Sequence, residues 1–374
     1  MSSMIVKSSR GPYEITFLNH TQAVVLRVLE YLSKRPPSMV VLFSNPTVYE
    51  LYGEAFFNSI STVHTTVNVL FPDGEEYKNL ATIQQTIAEV DDYPIDRQTM
   101  FIALGGGVVG DMTGFLASIF VRGVDWIQVP TTLLALVDSS VGGKTGINLS
   151  SGKNRLGSFY PPNLVCSTPA YLLTLELPQI QSGLGEVFKH CVLDSASMVH
   201  WFIDDVLADS NWLRHPSLIE RVQGLCAVKA RIVEQDELEK GIRKILNFGH
   251  TIGHALEKLL TYGEVLHGQA VLIGMCVEAA WTASRGWTRP HVVTVLENVC
   301  NKLDMSIEIR DTITSKSLFD AISFDKKMQC DKLQLVVLED FGLATIRDLD
   351  REEILQMSAF TSIFLKTHFS STHS

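Results

Sequence analysis

The hydrophobic rhythm of the chain changes once, near residue 172. Before that point, β-branched or apolar runs alternate with helical spacings. Residues 39–44 (MVVLFS), 66–71, 99–104, 125–130 and 163–167 read as strands, and 80–90 and 108–120 as helices. Strands alternating with helices predict a mostly parallel sheet covered on both faces. Beyond residue 172 helical spacing dominates, through 183–194, 217–241 and 269–286, and strand signals shrink to short pieces such as 333–340 (LQLVVLED). The pattern predicts an α/β fold in two parts. A Rossmann-like domain with a mostly parallel sheet spans 1–172, and a mainly α-helical domain spans 173–374. The tail 366–374 is polar and reads as a frayed end.

Length agrees, since 374 residues exceed the usual single core. Charge narrows the partners. A formal net charge of −10 argues against nucleic acid and against a general attraction to acidic membranes. An anionic substrate then needs basic residues gathered locally. The six cysteines (166, 191, 226, 276, 300 and 330) are scattered with no CxxC pair, the pattern of free thiols in a reducing compartment. The N-terminus lacks the apolar run of a signal peptide, and no apolar segment reaches the roughly 20 residues of a membrane helix. The expectation is a cytoplasmic protein.

Candidate chemistry begins at a glycine turn. A buried strand runs into Gly105, Gly107 and Gly110, which match GxGxxG. Such glycines let backbone approach a pyrophosphate at a helix N-terminus. The match is weak alone, because a following strand ends IQVPTT and not in a ribose-binding acid. A tight turn packing helix on sheet would use the same residues. Support comes from 129–154, dense in hydroxyls, with Asp138, Lys144 and Lys153, which reads as a phosphate-binding wall. Upstream, Glu75 and Lys78 sit on a turn after a strand.

The second cluster is NFGHTIGHALEKLLTYGEVLHGQ (247–269). His250, His254 and Glu257 are spaced i, i+4, i+7 and share one helix face. Gly249 and Gly253 form a neighbouring stripe, each costing a helix about 1 kcal/mol against alanine, so a close approach of substrate or backbone must compensate. Spacing alone suggests HxxxH, with both His250 and His254 on zinc. Glu186 is a further candidate ligand, on a helical face with Lys189 and His190. The charged run 229–247 reads as helix with a solvated face that includes Asp236, Glu237 and Glu239.

The motifs GGGVVGDMTGFLASIFVRG (105–123), VPTTLLALVDSSVGGKTGIN (129–148), GKN (152–154), GLGEVFKH (183–190), LNFGHTIGHALE (246–257), HGQAVLIGM (267–275) and DKK (325–327) follow one another in an order that resembles the 3-dehydroquinate synthases. The resemblance spans roughly residues 70–340. It implies NAD and a divalent cation, zinc or cobalt, as cofactors. The metal ligands it implies are Glu186, His250 and His267, with His254 nearby as a proton relay, which revises the HxxxH reading. For NAD it implies Asp73, Gly74, Glu75 and Lys78, then Gly106, Gly107, Gly110 and Asp111, and finally Thr131, Thr132, Lys144, Lys153 and Thr174. For substrate and catalysis it implies Arg122, Asp138, Lys144, Asn154 and Lys189, together with Lys229, Arg243, Asn247 and Lys327. So many cations suit a multiply anionic ligand. The family's substrate, a seven-carbon keto-acid sugar phosphate, is one. A homodimer is the common assembly in such enzymes.

Two departures stand out. Asn45 and Thr47 occupy positions where the family usually has Asp and Asn, and Arg155 replaces a typically aliphatic residue. Rival readings are another sugar-phosphate cyclase and a metal-dependent polyol dehydrogenase. The latter would not need the cluster of lysines and arginines.

Overall fold

A computed structural model describes residues 2–260, 264–305, 307, 312–323, 328–329 and 332–369. Lys327, anticipated as a substrate contact, lies outside the described residues, as does Cys330. The chain forms two compact units, Met1–Glu176 with Leu213–Leu238, and Leu177–Trp212 with Glu239–Ser374.

The first unit is built on β1 (Ser2–Val6), β2 (Tyr13–Phe17), β3 (Val40–Ser44), β4 (Thr66–Leu70), β5 (Met100–Gly105), β6 (Asp125–Pro130), β7 (Lys144–Leu149), β8 (Gly152–Phe159) and β9 (Leu164–Ser167). Seven of these form one sheet in the order β1-β2-β9-β6-β5-β3-β4, parallel except for β1 on β2. β7 and β8 make a separate antiparallel hairpin. The helices are α1 (Thr21–Lys34), α2 (Pro46–Val48), α3 (Glu54–Ser61), α4 (Leu80–Asp91) and α5 (Gly107–Ile119).

Side-chain alternation explains why the strand sequences are apolar throughout. Val40 and Leu42 point into one core with Val24, Val28 and Leu32 of α1 and Phe56 and Ile60 of α3. Val41 and Phe43 point into the other, with Ile83 and Val90 of α4 and Val109 and Met112 of α5. A strand covered on both faces has no polar side to show, and each such buried side chain contributes about 1.5–3 kcal/mol. Asn79 starts α4 where it does, its side chain accepting from Thr82 N at 3.0 Å.

The chain enters the second unit with α6 (Leu177–Asp194) and α7 (Ala196–Trp201), returns to the first for α8 (Leu218–Gln235), and ends in the second with α9 (His250–Leu259), α10 (His267–Ser284), α11 (Pro290–Lys302), α12 (Ser315–Ser323) and α13 (Arg351–His368). A small antiparallel sheet of β10 (Met328–Gln329), β11 (Lys332–Asp340) and β12 (Leu343–Leu349) belongs to the same unit. α10 is buried on nearly every face, which is the behaviour of a central helix.

The strands and helices anticipated in the first 172 residues are present, and the fold is an α/β sheet unit plus a mainly helical one. Two expectations need correction, and some strands were not anticipated. β1, β2 and the β7–β8 hairpin carried no strand signal that was read. The run 229–247 is not one helix, because α8 stops at Gln235, Glu239 adopts φ +57, and Ile242–Asn247 forms a separate 3-10 turn. The tail does not fray at 366, because α13 continues to His368. Among the described residues no helix is long and apolar enough to cross a membrane, and Cys166, Cys191, Cys226, Cys276 and Cys300 are free and buried.

Candidate metal centre and dinucleotide wall

In the second unit, glycines decide how closely three helices approach. A Cβ on Gly268 of α10 would land on the Ser182 carbonyl of α6, and one on Gly185 of α6 would land on the Gly268 carbonyl. A Cβ on Gly274 would strike the Gly249 carbonyl, and one on Gly253 would lie 3.1 Å from Ala270 O. The compensation for glycines beside the histidines is therefore the backbone of α10, of the two alternatives the spacing left open. Gly249 has a second reason, since its φ of +81 is left-handed and turns the chain into α9.

These contacts bring three side chains to one point. Glu186 comes from α6, His250 is the first residue of α9, and His267 the first of α10. One donor atom from each lies within 4.8 Å of the others. Glu186 Oε1 faces His250 Nε2 at 3.6 Å and His267 Nε2 at 3.7 Å. Donors 2.0–2.1 Å from one tetrahedral ion stand about 3.3–3.4 Å apart, so the observed spacing suits a shared ion better than direct hydrogen bonds.

The tautomers agree. The Nδ1 atom of His250 is 3.2 Å from Phe248 O, and that of His267 is 3.2 Å from Glu257 Oε1. With Nδ1–H donated to an acceptor, each ring presents its Nε2 lone pair to Glu186. Glu186 is fully buried, its Oε2 paired with the Lys189 ammonium and its Oε1 without a hydrogen-bond donor. A buried carboxylate oxygen left in that state is costly unless a cation completes it. The donor set fits zinc or cobalt.

His254 stands beside this set, its ring centroid 5.3 Å from His250 and 6.1 Å from His267. A second grouping of His254, Glu257 and His267 also falls within ligand range. The Glu186 set has the stronger case, because it is the more buried of the two and both imidazole Nε2 atoms face one fully buried carboxylate oxygen. The fully buried Glu278 of α10 accepts from Gly249 N at 2.9 Å and Ile252 N at 3.1 Å. It thereby satisfies the open first turn of α9 and fixes the backbone that carries His250.

The first unit presents a different surface. The turn after β5 places Gly106 as the uncapped N-cap of α5, with Gly107 as its first residue. A Cβ on Gly107 would lie 3.3 Å from Ser139 Oγ. The Oγ atoms of Ser139 and Ser140 and Oγ1 of Thr131 are buried with no hydrogen-bond partner. Open N–H groups beside uncompensated hydroxyls fit a bound pyrophosphate. Gly110 packs against the Gln128 side chain of β6, which a Cβ there would meet. Thr132 Oγ1 accepts from Ala135 N at 3.2 Å.

Around the turn runs one polar network. Lys78 Nζ donates to Asp111 Oδ2 at 2.6 Å and to Asn154 Oδ1 at 2.7 Å. Asn154 N in turn donates to Asn148 Oδ1 at 2.9 Å, and Asn148 Nδ2 to Glu75 Oε1 at 2.9 Å. Asn154 is held at φ +51. Burial pushes the Asp111 carboxyl above its ordinary range, against the pull of Lys78. The sequence reading missed Asn148, Ser139 and Ser140; the density of hydroxyls and amides in 129–154 was the signal. At the other end of the wall, Asp73 beside Gly74 accepts from Asn45 Nδ2, and from Thr47 Oγ1 at 3.0 Å. Thr174 is exposed and pairs with Tyr52 OH.

The remaining anticipated residues are spread over both units. In the first, Lys229 of α8 is buried and bonds Asp138 twice, at Oδ1 (2.9 Å) and at its carbonyl (2.8 Å). Arg122 and Lys144 are exposed and Lys153 half-buried. In the second unit Arg243 is buried, and Asn247 Nδ2 donates to Glu239 Oε1 at 2.6 Å. Glu239 is therefore not a merely solvated acid, and its left-handed backbone fixes it there.

A glycine turn on a parallel sheet and an N₂O donor set among helices are features of a cofactor-dependent enzyme class. Solved proteins with the same fold include a 2-deoxy-scyllo-inosose synthase complexed with carbaglucose-6-phosphate, NAD⁺ and Co²⁺ (25% identity, TM-score 0.84, 96% of this chain and 99% of that one). Another is a 2-epi-5-epi-valiolone synthase from Streptomyces hygroscopicus with NAD⁺ and Zn²⁺ bound (22%, TM-score 0.82, 95% and 97%). In sequence, the 3-dehydroquinate synthase N-terminal family matches residues 68–182 and the 3-dehydroquinate synthase C-terminal family residues 183–328. A 3-dehydroquinate synthase from Crocosphaera subtropica is 35% identical over 358 residues, covering 95% of this chain and 98% of that protein. The chain belongs to the 3-dehydroquinate synthase family.

Proposed function

We propose that the chain converts 3-deoxy-D-arabino-heptulosonate 7-phosphate to 3-dehydroquinate and phosphate, a carbon–oxygen lyase reaction of aromatic biosynthesis. The observation that carries this reading is the Glu186–His250–His267 donor set, with its uncompensated buried oxygen, in a chain of this family. When bound, NAD supplies a transient oxidation and re-reduction at one substrate carbon, and zinc or cobalt supplies Lewis acidity toward substrate oxygens. β-Elimination of phosphate and an internal aldol closure complete the conversion.

The chain's own residues hold and orient. Glu186, His250 and His267 would hold the cation. Gly106 and Gly107, with the hydroxyls of Thr131, Ser139 and Ser140, would receive the pyrophosphate. Asp73, aimed by Asn45 and Thr47, would accept from a ribose hydroxyl. Lys78, fixed between Asp111 and Asn154, keeps the nearby wall rigid. Arg243, Lys189 and Lys229 are buried cations suited to carboxylate and phosphate, with Arg122, Lys144, Lys153 and Lys327 contributing charge. Asn247, steadied by Glu239, and His254 would pass on the proton of the oxidised hydroxyl. We place the enzyme in the cytoplasm, where its buried free thiols fit a reducing environment, and as a homodimer, the assembly common in such enzymes; sedimentation would test the latter.

Incubation with the heptulosonate phosphate, zinc and catalytic NAD⁺ tests the reading. Phosphate release without net NADH is the expected result. Stoichiometric NADH would instead indicate a polyol dehydrogenase, and cyclisation of a different sugar phosphate would indicate a sibling cyclase.

A further inference from the structure

We propose that Glu257 is a positioning residue that locks His267 as a metal ligand. This rests on the metal-site reading above. Of the three ligands, Glu186 has a side chain 0% exposed and His250 one 11% exposed, while that of His267 is 31% exposed. Packing alone therefore restrains His267 least. It is also the first residue of α10, behind an N-cap, Leu266, that makes no side-chain bond.

Glu257 adds a specific restraint. It lies two turns beyond His250 on α9, its side chain is only 5% exposed, and its Oε1 meets His267 Nδ1 at 3.2 Å. A carboxylate on Nδ1–H selects the tautomer with the free Nε2 lone pair, stops the ring from turning, and makes that lone pair more basic. The two histidines are thus held by different acceptors. The buried one has a neutral carbonyl, Phe248 O, and the more exposed one has a charged carboxylate.

The test uses full-length protein stripped by a chelator, with zinc affinity measured by competition against a chromophoric chelator. The Co²⁺ visible spectrum and the melting temperature of the metal-free protein are recorded beside it. Glu257→Ala should bind zinc 10–100-fold more weakly, the usual range for loss of an outer partner. Glu257→Gln, which keeps an acceptor oxygen without the charge, should fall between Ala and wild type. Both should shift the Co²⁺ spectrum and leave the metal-free melting temperature unchanged. Wild-type zinc affinity in Glu257→Ala overturns the proposal. So does a lowered metal-free melting temperature in both variants, which would make the role structural. Loss of a second, weaker zinc equivalent with the first intact would make Glu257 a ligand and overturn it equally. His267→Ala separates this proposal from the one beneath it. If that variant keeps its zinc, the metal-site reading itself is wrong; if it loses zinc while Glu257→Ala does not, only the role of Glu257 fails.

Discussion

The two units solve the problem of building a site in opposite ways. In the first, the groups proposed to face a ligand are largely backbone and short side chains that follow parallel strands, and one hydrogen-bonded chain runs beside them from Glu75 through Asn148, Asn154 and Lys78 to Asp111. In the second, three side chains on three helices converge because Gly185, Gly249, Gly253, Gly268 and Gly274 let backbone touch backbone. A polar network can lose one bond and keep its shape. A helix crossing made of glycine against carbonyl has no slack, so its failure should be abrupt.

The largest effect should follow removal of a ligand. His267→Ala is expected to abolish zinc retention, read by elemental analysis, and to reduce turnover by at least about a thousandfold. Nearly as severe is Gly268→Ala, whose methyl would occupy the space of the Ser182 carbonyl. A loss of roughly 3 kcal/mol or more is expected, visible in chemical denaturation or as a failure to fold. The first unit should be more forgiving. Asp73→Ala removes a carboxylate held by Asn45 and Thr47 and should weaken NAD binding roughly tenfold, by about 1.4 kcal/mol, in a fluorescence titration. Gly224 of α8 sharpens the contrast, because nothing lies within 4 Å of a Cβ there. Gly224→Ala should stabilise the protein by about 0.5–1 kcal/mol, the opposite sign from Gly268→Ala. The smallest effect concerns thiols. Burial pushes Cys166 and Cys226 up to about 12, so at pH 8 roughly one thiol in ten thousand is ionised and native protein should resist alkylation at both, read by peptide mapping.

Much of this was legible in the residues. The sheet could be read because β3, β5 and β6 are buried on both faces and so carry unbroken apolar runs. β1 and β8 could not, because they are partly exposed and their sequences, SSMIV and GKNRLGSF, have no such run. The stripe Gly249–Gly253 announced a close approach but not its partner, since α10 is close only in three dimensions. For the same reason, spacing alone favoured His254 over His267. A helix pattern records neighbours on its own face, and the two remaining donors come from α6 and from the first residue of α10. The break at Asp236–Glu239 was hidden by a charged composition that suits helix and loop equally.

The proposed chemistry depends on one divalent ion held by Glu186 and by the Nε2 atoms of His250 and His267. An anomalous difference map from a crystal loaded with Co²⁺ or Zn²⁺ addresses it directly. A single strong peak is expected about 2.0–2.2 Å from Glu186 Oε1 and both Nε2 atoms. A peak coordinated by His254 and Glu257 instead, with Glu186 left bare, would contradict it.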